Sequence, residues 1–117
     1  MEKTDAIVAL GALAHGGRLD VFRLLVRAGP DGMAAGEIAR ATGAVPSTLS
    51  ANLTVLSRAG LVSARRDGRS IIYAAAYGQM SDLLGFLVED CCSGKPEICA
   101  PLAATVGKAC VAEGGRC

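Results

Sequence analysis

The chain has 117 residues and is 51% hydrophobic, but alanine supplies much of that fraction, and there are only two Phe, two Tyr and no Trp. This length allows one hydrophobic core, and the composition favours helices. Twelve Lys and Arg against eleven Asp and Glu give a formal charge of +1, so affinity for nucleic acid requires a local basic patch.

The sequence shows no sign of a membrane segment or a leader. No apolar run approaches the ~18 residues that a membrane span needs. Acidic Glu2 and Asp5 occupy the place where a signal peptide has basic residues. We therefore expect a cytoplasmic protein without a membrane partner, and in the cytoplasm its thiols stay reduced.

Apolar residues at helical spacing predict two helices in the first third of the chain. The first helix runs from about Asp5 to His15 and is followed by Gly16-Gly17. Its apolar stripe consists of Ile7, Leu10, Leu13 and Ala14. The second helix, RLDVFRLLVRAG, ends at Gly29-Pro30. Its apolar face consists of Leu19, Phe22, Leu25 and Val26.

The next two helices predict a helix-turn-helix. The first lies in AAGEIARATG and ends at Gly43, and the second opens at Pro46, which a first helical turn accepts. Leucines recur along the second helix at i, i+4 and i+7, and serine, threonine and asparagine dominate its exposed positions. The candidate DNA contacts on this helix are Ser47, Thr48, Ser50, Ala51, Thr54 and Arg58. The same pattern fits the solvated face of a helical bundle equally well.

A β-hairpin is predicted from LVSARRDGRSIIYAAA, with strands over residues 61–64 and 70–74 and a turn at Asp67-Gly68. Arg65, Arg66 and Arg69 surround this turn. Arginine suits phosphate and a narrow minor groove, so an arginine-rich hairpin after a helix-turn-helix favours a DNA-binding wing. The alternative is a charged turn that protects an edge strand.

The last clear helix is predicted from about Tyr77 to Cys92. Its apolar stripe consists of Met80, Leu83, Leu84, Leu87 and Val88. The same series continues onto Cys91 and Cys92, and Cys99 follows among turn-forming Gly and Pro residues.

The segments ALAHGGRLDVFRLL, GEIARATG, STLSANLTVLSRAGLV and RRDGRSIIYAA resemble, in order and spacing, the ArsR/SmtB winged-helix repressors. The resemblance covers roughly residues 7–90. It implies a mainly α winged helix-turn-helix with a small β-hairpin, a homodimer through the first and last helices, and repression of an operator until an inducer binds. It also implies a DNA-binding and dimerisation domain over residues 1–90 and an inducer-binding segment over residues 91–117.

The same resemblance marks Ser47, Ser50 and Ala51 as matches to base-contacting positions. Ala51 departs from the Arg or His that the family often carries. Direct readout there is weakened, and the wing arginines are expected to carry more of the affinity.

Most sensor sites of this family cannot be built from this sequence. The third-helix arsenic motif needs cysteines where this chain has MAAGE, and the last-helix zinc site needs several histidines. His15 is the only histidine and is better explained as a helix-end residue. The C-terminal cysteines resemble a relocated arsenite site, with As(III), or alternatively Sb(III), as the inducer. The residues of this predicted metal site are Cys91, Cys92 and Cys99.

The chemistry of three thiols supports this assignment. Soft thiolates select soft ions, and pyramidal As(III) takes three sulfurs, whereas zinc prefers four ligands. Adjacent cysteines have Cα atoms ~3.8 Å apart, less than the ~4.4–6.8 Å usual for a disulfide, so one bridging ion strains the pair less. The alternative is that Cys91 and Cys92 are small hydrophobes that extend the helix seam.

Three other functions stay open from the sequence. The cysteines can form a redox or persulfide switch on the same DNA-binding fold. A small thiol enzyme is disfavoured because Cys-x-x-Cys and a suitably placed histidine base are missing, so no enzymatic activity is expected. A metal buffer that binds no DNA is disfavoured by the wing arginines.

Overall fold

In the computed structural model, residues 1–89, 97, 100–102 and 104–106 are described. The chain divides into two units, Met1–Phe86 and Leu87–Cys117. The elements are α1 (Lys3–Leu13), α2 (Gly16–Ala28), β1 (Met33–Ala34), α3 (Ala35–Thr42), α4 (Pro46–Arg58), β2 (Val62–Asp67), β3 (Ser70–Ala75) and α5 (Tyr77–Leu87). The predicted mainly α winged helix-turn-helix with a small hairpin is confirmed. Within the described ranges, every helix is too short or too polar to cross a bilayer.

The helix ends follow from local hydrogen bonds. His15 is the N-cap of α2, and its Nδ1 accepts a hydrogen bond from the Arg18 N–H at 3.3 Å. The predicted helix-end role of His15 is therefore confirmed, and the helix starts at Gly16 instead of after the glycine pair. Gly43 ends α3 in the left-handed conformation, and its N–H donates to the Ala39 carbonyl at 2.8 Å.

The wing is the β2–β3 hairpin. Its two strands pair from Val62↔Ala75 to Asp67↔Ser70, so the two loop residues are Gly68 and Arg69, one position later than predicted. The strands are also longer than predicted, because the pairing continues through the arginines to Asp67.

A third strand, β1, was not predicted. It pairs antiparallel with β3 through Met33↔Tyr73 and Ala34↔Ile72, giving the sheet order β1-β3-β2. Gly32 enters this strand with a φ of 73°, and a Cβ there would overlap the Tyr73 carbonyl oxygen. Only glycine fits this approach.

The core lies between the helices and the inner face of the sheet. Its larger buried side chains are Val21, Phe22, Leu25, Ile38, Leu49, Leu53, Leu56, Leu61, Val62 and Leu83. Leu19, which was predicted on the apolar face of α2, is 40% exposed.

The apolar stripe predicted for α1 is wrong. The buried residues are Ala6, Ala9 and Ala12, whereas Ile7 and Leu10 are 58% and 40% exposed. Alanines on the inward face let the helix approach its neighbours closely, and the larger side chains then point outward.

α5 is shorter than predicted, because it ends at Leu87 and residues 88–89 form a turn. Leu83 is buried while Leu84 is 51% exposed, so the predicted stripe does not form a single buried face. The Tyr77 hydroxyl donates to the Val26 carbonyl at 2.8 Å, one of the last four carbonyls of α2 without an intrahelical partner. This bond fixes the start of α5 against the end of α2.

Candidate nucleic-acid interface

α4 has one buried side and one exposed side. The buried residues are Leu49, Asn52, Leu53 and Leu56. All six predicted DNA contacts are exposed, namely Ser47, Thr48, Ser50, Ala51, Thr54 and Arg58. The period of 3.6 residues places the leucines inward and therefore these residues outward.

Asn52 corrects the expectation that asparagine is among the exposed residues of this helix. It is only 7% exposed, and its Nδ2 lies 3.1 Å from the position that a Cβ on Gly17 would occupy. Asn52 therefore packs against the start of α2 and does not belong to the exposed face of α4.

The outward face of α4 carries hydroxyl and methyl groups. The Thr54 Oγ1 donates to the Ser50 carbonyl at 2.9 Å, which orients the threonine side chain. Serine and threonine hydroxyls pair with either donors or acceptors on base edges, and small apolar groups contact thymine methyls. Such a face can enter a major groove closely because its side chains are short.

The wing presents the positive charge. Arg65, Arg66 and Arg69 are exposed, and β alternation places Arg65 and Arg66 on opposite faces of the hairpin. Arg65 Nη2 donates to the Asp31 carbonyl at 3.1 Å, which ties β2 to the loop before β1. A guanidinium has five N–H donors, so Arg65 keeps four for phosphate while this bond holds its position.

Val45 is a residue that sequence reasoning missed. It is the N-cap of α4, its side chain makes no capping hydrogen bond, and at 62% it is the most exposed large hydrophobic side chain of the described residues. A signal was present in the sequence, because valine directly before the helix-opening Pro46 is among the least favourable N-cap residues.

The predicted metal site cannot be located in this structure. Cys91, Cys92 and Cys99 lie outside the described residues. Among residues 1–89 and the short described stretches beyond them, no group of three or more His, Cys, Asp or Glu could hold a metal ion. The trithiolate site therefore stays a prediction from the sequence.

Comparison with known proteins identifies the helix-turn-helix formed by α3 and α4. Residues 13–64 match a family model described as a helix-turn-helix domain. Over 73 residues the chain is 41% identical to the uncharacterised HTH-type transcriptional regulator Rv0081 of Mycobacterium tuberculosis. This match covers 62% of this chain and 61% of that relative. The chain thus spans about three fifths of the length of this curated relative.

A solved structure decides the family. The homodimeric winged helix-turn-helix domain Mb0332 of Mycobacterium bovis, described as a possible ArsR-family regulator, is 34% identical and covers 74% of this chain and 81% of its own, with a TM-score of 0.59. This chain belongs to the ArsR family. A second solved structure, described as a possible transcriptional regulator for arsenical resistance, is 29% identical and covers 68% of this chain and 79% of its own, with a TM-score of 0.60.

Proposed function

We propose that this ArsR-family protein is a cytoplasmic transcriptional repressor that binds operator DNA as a homodimer and is released by As(III). DNA binding is supported chiefly by one observation: all six candidate contacts of α4 are exposed, on a helix that is followed by a wing with three exposed arginines. No DNA is required to organise this surface, because the buried leucines of α4 and the paired strands of the wing already position it.

The dimensions and charges fit duplex DNA. A helix is about 10–12 Å across with its side chains, so α4 fits a major groove ~12 Å wide, and its 13 residues extend over about 20 Å. The wing arginines supply phosphate contacts beside this groove. Each lost phosphate contact reduces the slope of log K against log salt concentration by about one. The wing therefore provides the local positive charge that DNA binding needs, although the whole chain is nearly neutral.

Homodimerisation is supported by exposed apolar side chains on α1 and α5. Ile7, Val8 and Leu84 are 58%, 49% and 51% exposed, and such groups favour burial in an interface. The resemblance to the family implies a dimer through these two helices. Two recognition helices would then read half-sites about one helical turn, ~34 Å, apart.

The inducer site rests on the sequence and on thiol chemistry. Arsenous acid, As(OH)₃, would exchange its three As–O bonds for As–S bonds to Cys91, Cys92 and Cys99, and the three hydroxyls would leave as water with the three thiol protons. No oxidant or reductant is needed. The name of the neighbour implicated in arsenical resistance adds support.

Release from DNA requires only a modest coupling. The cysteine pair follows α5, so closing a three-sulfur chelate there would change how the end of this helix packs in the dimer. A coupling of about 1–3 kcal/mol lowers operator affinity by roughly 5–150-fold.

The test is fluorescence anisotropy of the reduced protein on DNA from its own promoter, titrated separately with arsenite, zinc and peroxide. We expect release by arsenite, and we expect Cys91→Ser, Cys92→Ser or Cys99→Ser to abolish it. Cys117→Ser is the matched control and should respond normally. Release by peroxide with no response to arsenite would instead identify a redox repressor, and no DNA binding at all would refute the repressor function.

A further inference from the structure

Val45 is an apolar residue at the N-cap of a helix, where its side chain is exposed and makes no capping hydrogen bond. Its side chain is 62% exposed although it is apolar. It also occupies the N-cap of the recognition helix, with φ and ψ of −65° and 135°, and provides no hydrogen bond to the first turn.

A better residue for helix stability is readily available at this position. Serine, aspartate or asparagine at an N-cap accepts a hydrogen bond from the N2 or N3 amide, and valine does not. The hydrophobic packing sometimes found before a helix uses the residue that precedes the cap, which here is Ala44. Valine fits the extended backbone that Pro46 imposes on this position, but its exposed side chain satisfies no group of the first turn. A residue that breaks the capping preference in this way is a candidate for a functional contact.

The position of Val45 indicates which partner it meets. It is two residues before Ser47, at the leading end of the helix whose exposed face is proposed to enter the major groove. The apolar group that major grooves display is the C5-methyl of thymine. We propose that Val45 contacts a thymine methyl group in each operator half-site and is a specificity-determining residue of this repressor.

This inference rests on the proposed DNA binding and goes beyond it by naming a base. Hydroxyl groups dominate the rest of the α4 face and pair with many base edges, so they discriminate weakly. A methyl contact adds selection for thymine without requiring an arginine or glutamine. Burying one methyl-sized group corresponds to about a fourfold change in binding constant.

The test combines a substitution in the protein with the replacement of single bases in the DNA. Wild-type protein first selects a duplex from a randomised library, and each thymine of that duplex is then replaced by uracil, which lacks only the C5-methyl. Methyl groups of Ala51 and Thr54 on the same face can make other thymines sensitive. The Val45 contact predicts in addition a symmetric pair of positions where the double replacement weakens binding about fifteenfold, or about fourfold in each half-site.

Val45→Ser should lose this sensitivity, with less than about a twofold effect of uracil at the same positions. Its thermal stability should be equal to or higher than that of wild type, because serine caps the helix. Val55→Ser is the matched control, since Val55 is also an exposed valine of α4 and lies about 15 Å further along the helix. It should keep the wild-type pattern at these thymines.

The outcomes separate the two proposals. If wild type binds its selected duplex but Val45→Ser shows the same uracil penalties, the effect of uracil comes from DNA shape and the thymine contact is refuted. A Val45→Ser protein with lower thermal stability would show that valine has a structural role, which also contradicts the inference. If wild type selects no sequence, the repressor function itself fails, and the inference fails with it.

Discussion

Two glycines with the same positive φ allow a sharp test of the packing around the wing. Gly32 and Gly43 both have a φ of 73°. A Cβ on Gly43 would meet no atom within 4 Å, whereas a Cβ on Gly32 would overlap the Tyr73 carbonyl oxygen and lie 2.9 Å from Ile72 Cγ2. Alanine at either position adopts an unfavourable positive φ, and only at Gly32 does it also force β1 away from β3.

The expected magnitudes follow from these two terms. Alanine at a left-handed position costs about 1–2 kcal/mol, partly offset by about 0.4–1 kcal/mol because alanine restricts the unfolded chain. Gly43→Ala should therefore lower the free energy of unfolding by about 1 kcal/mol. Overlap adds about 1–3 kcal/mol, so Gly32→Ala should lower it by about 2–4 kcal/mol.

Urea unfolding followed by circular dichroism measures both values under one set of conditions. Gly32→Ala should also weaken DNA binding at temperatures where it stays folded, because the adjacent Asp31 carbonyl holds the Arg65 side chain. Equal destabilisation by the two substitutions would refute the reasoning, since it would mean that β1 moves away at no cost.

Three further predictions concern α5, the wing and the inducer. Tyr77→Phe removes the hydrogen bond to the Val26 carbonyl and should lower the free energy of unfolding by about 1 kcal/mol, measured by urea unfolding; no loss would mean that water replaces the hydroxyl. Arg66→Ala and Arg69→Ala should each reduce the slope of log K against log salt concentration by about one without changing the free energy of unfolding. Arg65→Ala should reduce this slope and also lower the free energy of unfolding by about 0.5–1.5 kcal/mol, because it removes the bond to the Asp31 carbonyl. Equal stability of all three variants would contradict this anchoring of Arg65. Calorimetry at pH 7 in buffers of different ionisation enthalpy should show almost no net proton release when arsenite binds, and clear release when zinc binds through ionised thiols; proton release with arsenite would refute the exchange of thiols for hydroxyls.

The helix-turn-helix and the wing could be predicted because strong local signals mark them. Gly43 and Pro46 fix the turn between α3 and α4, and the leucine spacing fixes the inward face of α4. The arginine-rich hairpin is marked by the turn residues Asp67-Gly68 and by the β-branched and aromatic residues that follow them, Ile71, Ile72 and Tyr73. Each of these signals acts within a few residues, so it does not depend on tertiary packing.

The inward face of α1 could not be predicted for a physical reason. The helix is apolar on several sides, so its sequence does not distinguish the Ala6–Ala9 side from the Ile7–Leu10 side. Which side faces the core depends on how closely α2 and α4 approach, and close approach favours alanine. β1 was missed because two residues carry no periodicity, and its pairing depends on the distant strand β3.

The buried alanines of α1 affect how strongly the fold of one chain stabilises this helix. Alanine side chains bury little area, so α1 gains less from the fold of a single chain than a helix that buries leucines. In the proposed homodimer a second copy would cover its large apolar groups, and association would then stabilise the helix by mass action. Amide hydrogens of α1 should therefore exchange faster on dilution, while those of α4 change little. The proposed dimer therefore links the order of the first helix to the concentration of the protein.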